Sequence, residues 1–558
     1  MDKNEKNPRI SRRGFIKKGA AAGLGATALT GFGAEEANAQ NRVRWDREAD
    51  VVIAGAGASG LCAAISARDN GATVIAIDEN HDIGGHSMVS GGNVPLGGGT
   101  SLQKKYGVVD SADLVFLDHT NHRNQEFRHS DRDLVRVWAD ENVSTFEFLI
   151  ENGVKFNDGP PRTLNRAPNP IPQGSVPRLF TTQVYSKDLN ETIAGSNGSG
   201  FARPLEKSAR AKGVEFLLRH KLTAIVREKP SEGRVLGITA TVDNKKVNIR
   251  AKKGVIIATG GHTSNVEFRR MFDPRLTEEY QTTGEPWSRQ TADGEILALG
   301  IGASLWCTSN QNNGAGTPIT KTRHIGCRYG YQNLKWPAKS PIFDRVGGSG
   351  LTVINFQDMI LVNQAGLRFW NEMDNSFDFL HACLGTNGNL AKDGKTNGGG
   401  PIWAIFDADA VTREKWDPTP PNVDLNGWFF SADTLSELAK KIVNPYQHHP
   451  VPGTALEQTV AKYNSFVDAG KDAEFNKPTP MFKIQKPPFY AAWSTPILHD
   501  TLTGLKINRK CEVMDLHGNV IPHLYCAGEC AGGFALHGLP RVSVFGRIAG
   551  REAAIAKV

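Results

Sequence analysis

Cysteine is scarce in this sequence of 558 residues, with only seven, at positions 62, 307, 327, 383, 511, 526 and 530. None lies in a C-x-x-C-H haem-attachment motif and no spacing is typical of a zinc site, so we expect neither covalently attached c-type haem nor a metal centre. Cys526 and Cys530 are near enough in sequence to bridge in an oxidising compartment, but the odd total leaves any pairing open. We expect most of the thiols to be free and buried.

Clustered positive charge is also missing. Of the formal net charge of +7, residues 1–39 contribute +3, with seven basic and four acidic side chains, so the remaining chain carries +4. No basic stripe with interleaved aromatic residues occurs, which excludes nucleic acid as an expected partner. Gly 59 and Pro 29 are typical of a loop-rich globular enzyme with more than one lobe.

The N-terminal segment lacks an apolar run long enough to anchor a protein in a membrane. Residues 19–33 are mildly apolar, short and rich in Gly and Ala, so we expect no stable membrane insertion. They follow Ser11-Arg12-Arg13-Gly14-Phe15-Ile16-Lys17, a twin-arginine motif, and precede a small-residue site at Ala37-Asn38-Ala39. We predict a signal peptide over residues 1–39, cleaved after Ala39, that directs the folded protein through the twin-arginine machinery to the periplasm. The alternative is a basic disordered tail.

The strongest motif runs from Ala49 to Asp78. It reads as an apolar strand, a Gly55-x-Gly57-x-x-Gly60 turn, an Ala-rich helix and a second strand that ends in an acid. In a dinucleotide-binding unit the first glycine makes the tight turn, the second lets the backbone approach a pyrophosphate, and the third lets helix and strand pack closely. We expect Asp78 to accept the ribose hydroxyls. A glycine-rich turn without a ligand is the alternative.

Further glycine-rich blocks suggest that distant parts of the chain return to the same ligand. Residues 83–93, IGGHSMVSGGN, offer amides and hydroxyls to a flat ligand. Strands are predicted at 213–216 and 221–225, and a small antiparallel excursion at 233–238 and 246–249 precedes an apolar strand that ends in ATGG at residues 258–261. The last block is the strand 524–526 with the turn Ala527-Gly528-Glu529, followed by a helix predicted over 542–557.

Together these motifs resemble the FAD-dependent fumarate reductase/succinate dehydrogenase flavoprotein superfamily, in its soluble single-chain branch. The branch includes periplasmic fumarate reductases, urocanate reductases and 3-ketosteroid 1-dehydrogenases. The resemblance implies an α/β fold, with a Rossmann-like discontinuous FAD-binding domain and an inserted α+β capping domain that closes over substrate. We expect the FAD-binding domain at 40–302 and 487–558 and the capping domain at 303–486.

The resemblance also assigns the cofactor contacts. The glycine loop and Asp78 would hold the ADP part, the second block the flavin, Asp293 a polar position near it, and Glu529 the ribityl region. The predicted FAD-binding residues are Gly55, Gly57, Ala58, Ser59, Gly60, Asp78, Gly85, His86, Ser87, Ser90, Gly91, Gly92, Ala258, Thr259, Gly260, Asp293, Gly528 and Glu529. A covalent bond from His86 to the flavin, as a histidine forms in membrane-bound relatives, is an alternative state.

The substrate motifs of the best-known members are not present. The family's proton-donating arginine should follow Asn371-Glu372, where this chain has Met373-Asp374-Asn375-Ser376, and the Glu and Arg of the proton path are missing from residues 352–358. A dicarboxylate needs several cationic partners. The tyrosine and Tyr-Ala-Gly-x-Gly segment of the steroid dehydrogenases are missing too. We therefore expect a distinct member with its own substrate.

Three residues are the predicted catalytic candidates. Arg541 precedes the last helix, where a cation would stabilise reduced flavin or bind substrate. His537 lies in the preceding loop and can serve as general acid or base, and His499 lies where relatives place a substrate-binding histidine. For each histidine, a structural role is the alternative.

The predicted function is hydride transfer between a substrate carbon and flavin N5. We expect a dehydrogenase of an apolar or aromatic small molecule that passes electrons to an external carrier such as a c-type cytochrome. One alternative is a periplasmic reductase of an unsaturated carboxylic acid, with Arg323, Arg328 or Arg345 replacing the missing cation. The other is a flavin electron-transfer subunit without substrate chemistry.

Overall fold

The computed structural model describes residues 43–120, 130–163, 176–307, 319–331, 334–375, 377–385, 397, 399–447, 449–536 and 538–558. The predicted signal peptide and His537 lie outside these residues. Among the described helices, none is both long and apolar enough to cross a membrane.

The strands vary from two to thirteen residues in length. In chain order they are β1 (Arg47–Ala54), β2 (Val74–Asp78), β3 (Asn93–Pro95), β4 (Leu179–Thr181), β5 (Val184–Ser186), β6 (Glu191–Ile193), β7 (Glu215–Leu218), β8 (Lys221–Arg227), β9 (Val235–Val242), β10 (Lys245–Ile257), β11 (Leu305–Trp306), β12 (Ile319–Thr320), β13 (His324–Ile325), β14 (Leu351–Thr352), β15 (Ile360–Val362), β16 (Trp403–Phe406), β17 (Phe429–Ala432), β18 (Phe489–Trp493), β19 (Ile497–Leu498), β20 (Gly504–Leu505), β21 (Glu512–Met514) and β22 (Val520–Cys526).

The α-helices lie before, between and after these strands. They are α1 (Ala58–Asp69), α2 (Ser101–Lys105), α3 (Ala112–Thr120), α4 (Arg132–Glu151), α5 (Ser199–Ala211), α6 (Val266–Arg270), α7 (Asp293–Leu299), α8 (Phe343–Val346), α9 (Phe377–Leu384), α10 (Ala408–Glu414), α11 (Leu435–Lys441), α12 (Gly453–Ala469) and α13 (Leu539–Ile555). Short 3-10 helices span Gly85–Val89 and Phe356–Asp358.

The main sheet contains eight strands around a parallel centre. Its path is β21-β22-β10-β1-β2-β7, in which β22, β10, β1, β2 and β7 run parallel to their neighbours, and β9 and β8 extend it from β10 in antiparallel pairing. Because the first and last parts of the chain meet in this sheet, the nucleotide-binding unit is discontinuous. The predicted mixed α/β fold with a parallel sheet is confirmed.

Strand β10 is longer than the sequence pattern indicated. We predicted separate strands at 246–249 and 254–261, but residues 245–257 form one continuous strand. Its first half pairs with β9 and its second half with β1, so Ile249 pairs with both Ile238 and Arg47. The alternating polar residues of the first half face solvent on one side, whereas the second half is buried on both faces, which made one strand look like two.

Helices α1 and α13 pack directly against each other on one face of the main sheet. A Cβ atom at Gly546 would lie 2.5 Å from the Ser59 carbonyl oxygen, and one at Gly550 would lie 2.1 Å from that of Ala63. Only glycine permits this contact, and it holds the end of the chain against the first helix. Because α13 begins at Leu539, Arg541 lies within its first turn rather than before it.

A second sheet of four antiparallel strands, in the order β15-β16-β18-β17, lies in the middle of the sequence. One apolar cluster covers each face, centred on Phe369, Phe406 and Phe429 on one side and on Trp403 and Tyr463 on the other. Strand β18 follows residue 486, where we placed the end of the inserted region. This sheet therefore takes strands from both sides of that position.

Short strand pairs connect the two bodies. Strand β11 pairs with β20, and β12 pairs with β19 in antiparallel register. On the other edge of β19, Thr282 forms a parallel bridge with Leu498. The end of β19, and with it His499, is thus held from both sides.

Candidate active site

A cavity of about 610 Å³ opens at the carboxyl ends of the central parallel strands. This is where open α/β sheets bind ligands, since the glycine-rich turns and helix N-termini gather there. Fourteen of the eighteen predicted cofactor residues line it: Gly55, Gly57, Ala58, Ser59, Asp78, Gly85, His86, Ser87, Ser90, Ala258, Thr259, Gly260, Gly528 and Glu529. The structure therefore brings together motifs that are nearly 500 residues apart.

The three glycines of the first turn meet different surroundings. Gly55 has φ of +110°, and a Cβ atom there would lie 2.1 Å from the Ala258 carbonyl oxygen; at Gly60 it would lie 1.8 Å from that of Gly55. At Gly57 a Cβ atom would meet only the Gly84 carbonyl oxygen, at 3.8 Å. Gly55 and Gly60 are thus required by the protein itself, whereas the missing side chain of Gly57 leaves space in the cavity for a ligand.

Asp78 is bound to the glycine loop. One carboxylate oxygen accepts the backbone N–H of Ala56 at 2.7 Å and the other that of Asn80 at 2.8 Å. Burial raises the pKa of this carboxyl. Each oxygen has a second lone pair, so Asp78 can fix the loop and still accept a ribose hydroxyl from the cavity side.

Several buried polar atoms on the cavity wall find no hydrogen-bond partner among the described residues. They are Ser59 Oγ, His86 Nδ1, Thr259 Oγ1 and Thr283 Oγ1. Burial lowers the pKa of His86 to about 4, so its ring is neutral at physiological pH. Buried polar groups are almost always paired in folded proteins, so these atoms fit a polar ligand that fills the cavity, as a flavin nucleotide would.

Glu529 is held from behind by a chain of side chains. Gln290 Nε2 donates to its carboxylate, and Thr263 Oγ1 donates to Gln290 Oε1 at 2.7 Å. Thr501 Oγ1 donates to the backbone carbonyl of Glu529 at 3.1 Å. Burial raises the pKa of Glu529 to about 7. At neutral pH this group can therefore donate or accept a hydrogen bond toward the ribityl hydroxyls we assigned to it.

Four predicted cofactor residues lie behind the wall. Gly60 packs against Gly55, as described above. The carbonyl of Gly91 accepts Ser196 Oγ at 2.7 Å, and that of Gly92 accepts the backbone N–H of Thr182 at 2.9 Å. Asp293 accepts Thr291 Oγ1 at 2.9 Å and pairs with Lys221 at 2.8 Å. These residues support the cavity, because their polar groups are directed to the protein.

Arg541 is buried, with only 1 % of its surface exposed, and it does not line the cavity. Its guanidinium donates to the carbonyl oxygens of Thr501, at 2.9 Å, and Ala531. We placed Arg541 against the flavin or the substrate because sequence cannot show where a side chain turns. Its contacts instead hold together the two turns that flank Glu529.

His499 lines the cavity and forms a hydrogen bond from Nε2 to the hydroxyl of Tyr331 at 2.9 Å. The two ring centroids are 5.4 Å apart. Tyr331 also lines the cavity, but sequence analysis counted it only among the aromatic residues of the middle region. Nothing in its local pattern indicates that it meets a residue 168 positions away.

An apolar segment covers one side of the cavity. Trp336, Ile342 and Val346 pack together with Trp287, whose indole N–H reaches the Gly85 carbonyl at 3.4 Å. Of the three alternative cations, Arg345 lines the cavity and is exposed. Arg328 stacks on Tyr329 and Trp428 at 5.0 and 5.9 Å, and Arg323 is exposed away from the wall.

The Gly-x-Arg-Phe-x-Asn-Glu motif builds the core beside the second sheet. Arg368 binds Glu372 through two hydrogen bonds of 2.7 and 2.8 Å and Asp472 through one of 2.8 Å, all of them buried. Lys477 Nζ lies 3.5 Å from the same Glu372 carboxylate. These charges neutralise one another and stabilise the fold.

Comparison with known proteins agrees with this geometry. The profile of the FAD binding domain family matches residues 50–311 and 333–541. The fumarate reductase (cytochrome) of Shewanella frigidimarina is 29 % identical over 90 % of this chain and 77 % of its own length. The acrylate reductase flavoprotein subunit of Shewanella woodyi is 29 % identical over 96 % of this chain and 94 % of its own.

A solved structure extends the comparison. The 3-ketosteroid-Δ4-(5α)-dehydrogenase of Rhodococcus jostii, in complex with 4-androstene-3,17-dione, superposes with a TM-score of 0.57 at 25 % identity, covering 92 % of this chain and 98 % of that one. These relatives confirm the superfamily resemblance. With the family profile spanning most of the chain and the cavity fitting a flavin nucleotide, the protein belongs to the FAD binding domain family and is an FAD-dependent oxidoreductase.

Proposed function

We propose that this enzyme desaturates a carbon–carbon bond next to a carbonyl group in an apolar or aromatic molecule. The observation that carries the proposal is the Tyr331–His499 hydrogen bond on the wall of the cofactor cavity. A tyrosine hydroxyl bonded to an imidazole is a proton-transfer pair, since the imidazole accepts the proton that the hydroxyl releases.

The reaction removes two hydrogen atoms from neighbouring carbons. Bound FAD supplies the acceptor for the hydride that leaves the carbon farther from the carbonyl. Tyr331 Oη, in contact with His499 Nε2, takes the proton from the carbon next to the carbonyl, and the double bond forms between the two carbons. The glycine loop at Gly57, Ser59 and Glu529 would hold the cofactor, so the protein's own chemical work is the movement of this proton.

The cavity wall favours a substrate with a large apolar part. Ile342, Leu539, Val542 and the Trp287 ring line it, and the Tyr331 ring faces the same space. The carboxylates of Glu372 and Asp472 occupy Arg368, and no arginine follows Asn371-Glu372 in the sequence. A small dicarboxylate would therefore lack the cations that offset its two charges.

Reduction of an unsaturated carboxylic acid is the second candidate. It is favoured by Arg345 on the cavity wall and by the reactions named for the two Shewanella relatives. The same pair would then give its proton to the substrate. A single guanidinium suits a monocarboxylate better than a dicarboxylate.

Anaerobic titration of the purified flavoprotein tests both candidates. Steroids, phenolic compounds and saturated carbonyl compounds are added while the flavin absorbance is followed, and bleaching by one of them is the expected result. A flavin that no saturated compound bleaches, but that is reoxidised from its dye-reduced form by an unsaturated acid, would establish the reductase. A flavin that exchanges electrons only with a cytochrome would leave the electron-transfer subunit.

We also propose a capping movement, an external electron acceptor and export. The second sheet would close over substrate, a periplasmic c-type cytochrome would take the electrons, and the twin-arginine machinery would carry the folded protein. Replacement of Arg12 and Arg13 by lysine tests export. We expect flavoprotein to accumulate in the cytoplasm with its N-terminal segment uncut, whereas unchanged periplasmic recovery would refute this route.

A further inference from the structure

We propose that Thr283 binds the carbonyl oxygen of the substrate beside the Tyr331–His499 pair. This inference rests on the proposed function, because it assigns one more group to the same reaction. It makes Thr283 a substrate-binding residue and requires the substrate to present a hydrogen-bond acceptor next to the carbon that loses its proton.

The hydroxyl of Thr283 is buried and lacks a protein partner. Thr283 is 1 % exposed and lines the cavity, and its Oγ1 has no hydrogen-bond partner within the described part of the chain. A buried hydroxyl without a partner costs free energy, typically 1–3 kcal/mol. Such a group on a cavity wall is explained if a ligand completes its hydrogen bond.

The strand register places Thr283 beside His499. Thr282 bridges Leu498 in parallel, and the Thr283 backbone N–H donates to the Leu498 carbonyl at 2.9 Å. Thr283 and His499 are therefore the next matched positions, and both side chains project to the cavity side. Leu498 projects the other way, into the apolar cluster of the second sheet.

A donor at this position helps the reaction as well as binding. As the proton leaves for Tyr331 and His499, negative charge develops on the carbonyl oxygen. A fixed hydroxyl aimed at that oxygen stabilises the charge without reorganisation, because it is already held in place by the strand pairing. Thr283 thus differs from the pair: it donates a hydrogen bond and keeps its proton.

Thr282 is a matched control. It is 2 % exposed, and its hydroxyl also has no partner among the described residues, but it does not line the cavity. Thr282→Val and Thr283→Val remove the same atoms from neighbouring buried positions. A difference between them reports the position of the hydroxyl and not the loss of a buried polar group.

The test measures binding of two probes to the oxidised holoenzyme by the change in flavin absorbance. Benzylideneacetone is an aromatic enone, and 1-phenylpropene has the same ring and double bond without the carbonyl. We expect Thr283→Val to weaken benzylideneacetone binding about tenfold, the equivalent of one hydrogen bond, and to leave 1-phenylpropene unchanged. Thr282→Val should alter neither by more than about twofold, and Thr283→Ser should restore enone binding.

Four results would overturn the assignment. Equal weakening of both probes would mean that Thr283 only packs, and unchanged enone binding would mean that it makes no contact. Lost flavin, or a changed flavin spectrum before any probe is added, would assign the hydroxyl to the cofactor. A wild-type enzyme that does not bind the enone would also refute it. Bleaching by saturated carbonyl compounds is scored separately, so the proposed function can stand where this inference fails.

Discussion

The hydroxyl of Tyr331 lies 2.9 Å from Nε2 of His499, although the two residues are 168 positions apart. The contact joins the loop after β13 to the end of β19, and both side chains line the cofactor cavity. If this pair moves the proton, its loss should slow the chemical step more than it weakens binding.

Tyr331→Phe removes only the hydroxyl. We expect the rate of flavin bleaching by substrate to fall by about 10²- to 10⁴-fold with little change in the dissociation constant, the range typical of a lost general acid–base group. Stopped-flow absorbance under nitrogen measures both quantities. Tyr329→Phe is the control, since Tyr329 is near in sequence but does not line the cavity; equal effects of the two variants would argue against the pair.

Gly57→Ala should separate cofactor binding from folding. The new methyl group meets no described atom closer than 3.8 Å, so we expect a folded protein that has lost much of its flavin. Gly60→Ala places its methyl group 1.8 Å from the Gly55 carbonyl oxygen and should cost roughly 1–3 kcal/mol or more of stability. Flavin content and thermal unfolding, measured on both variants, check this contrast. Similar flavin loss in both, at equal stability, would contradict it.

Glu529 should make stability depend on pH. Its pKa is raised from 4.5 to about 7 by burial, so between these values the folded state keeps a proton that the unfolded state has released. The contribution is fully present below about pH 4.5 and is lost as the pH rises through 7, a change on the order of 1–3 kcal/mol.

Glu529→Gln should remove this term. Thermal unfolding of the wild type and the variant at pH 5 and pH 8 gives the comparison, since all other titrating groups are shared. We expect the wild type to lose more stability than the variant between the two values. Parallel pH profiles would show that Glu529 is ionised throughout.

Arg541→Gln should act on the fold before it acts on the chemistry. The change leaves the carbonyls of Thr501 and Ala531 without the charged donor, at a cost of roughly 2–5 kcal/mol. Arg551→Gln is the control in the same helix, because its partly exposed pair with Glu141 is worth less than about 1 kcal/mol. The midpoint of thermal unfolding distinguishes the two; an unchanged midpoint with lost activity would return Arg541 to the reaction.

The parts of this molecule that could be predicted from sequence are those governed by local rules. The turn at Gly55, Gly57 and Gly60 is dictated by backbone geometry within six residues, and Asp78 follows at a distance that the helix and strand lengths determine. Most of the predicted cofactor residues consequently line one cavity.

Side-chain direction across long sequence separations was not predictable. Arg541 was correctly located near the cofactor turns, but its guanidinium points to two carbonyls behind the wall. Tyr331 and Thr283 lie in segments without periodicity, and their positions depend on the two edges of β19. No pattern within either segment carries that information.

The double pairing of β19 separates two properties that an enzyme engineer would wish to vary independently. His499 and Thr283 are attached to a strand that is bound on both edges, by β12 and by Thr282. The apolar wall at Trp336, Ile342 and Val346 belongs to a segment held mainly by side-chain packing. Substitutions in that segment should change which molecules are accepted while the reacting groups stay in register, which makes it the first place to build a library for new substrates.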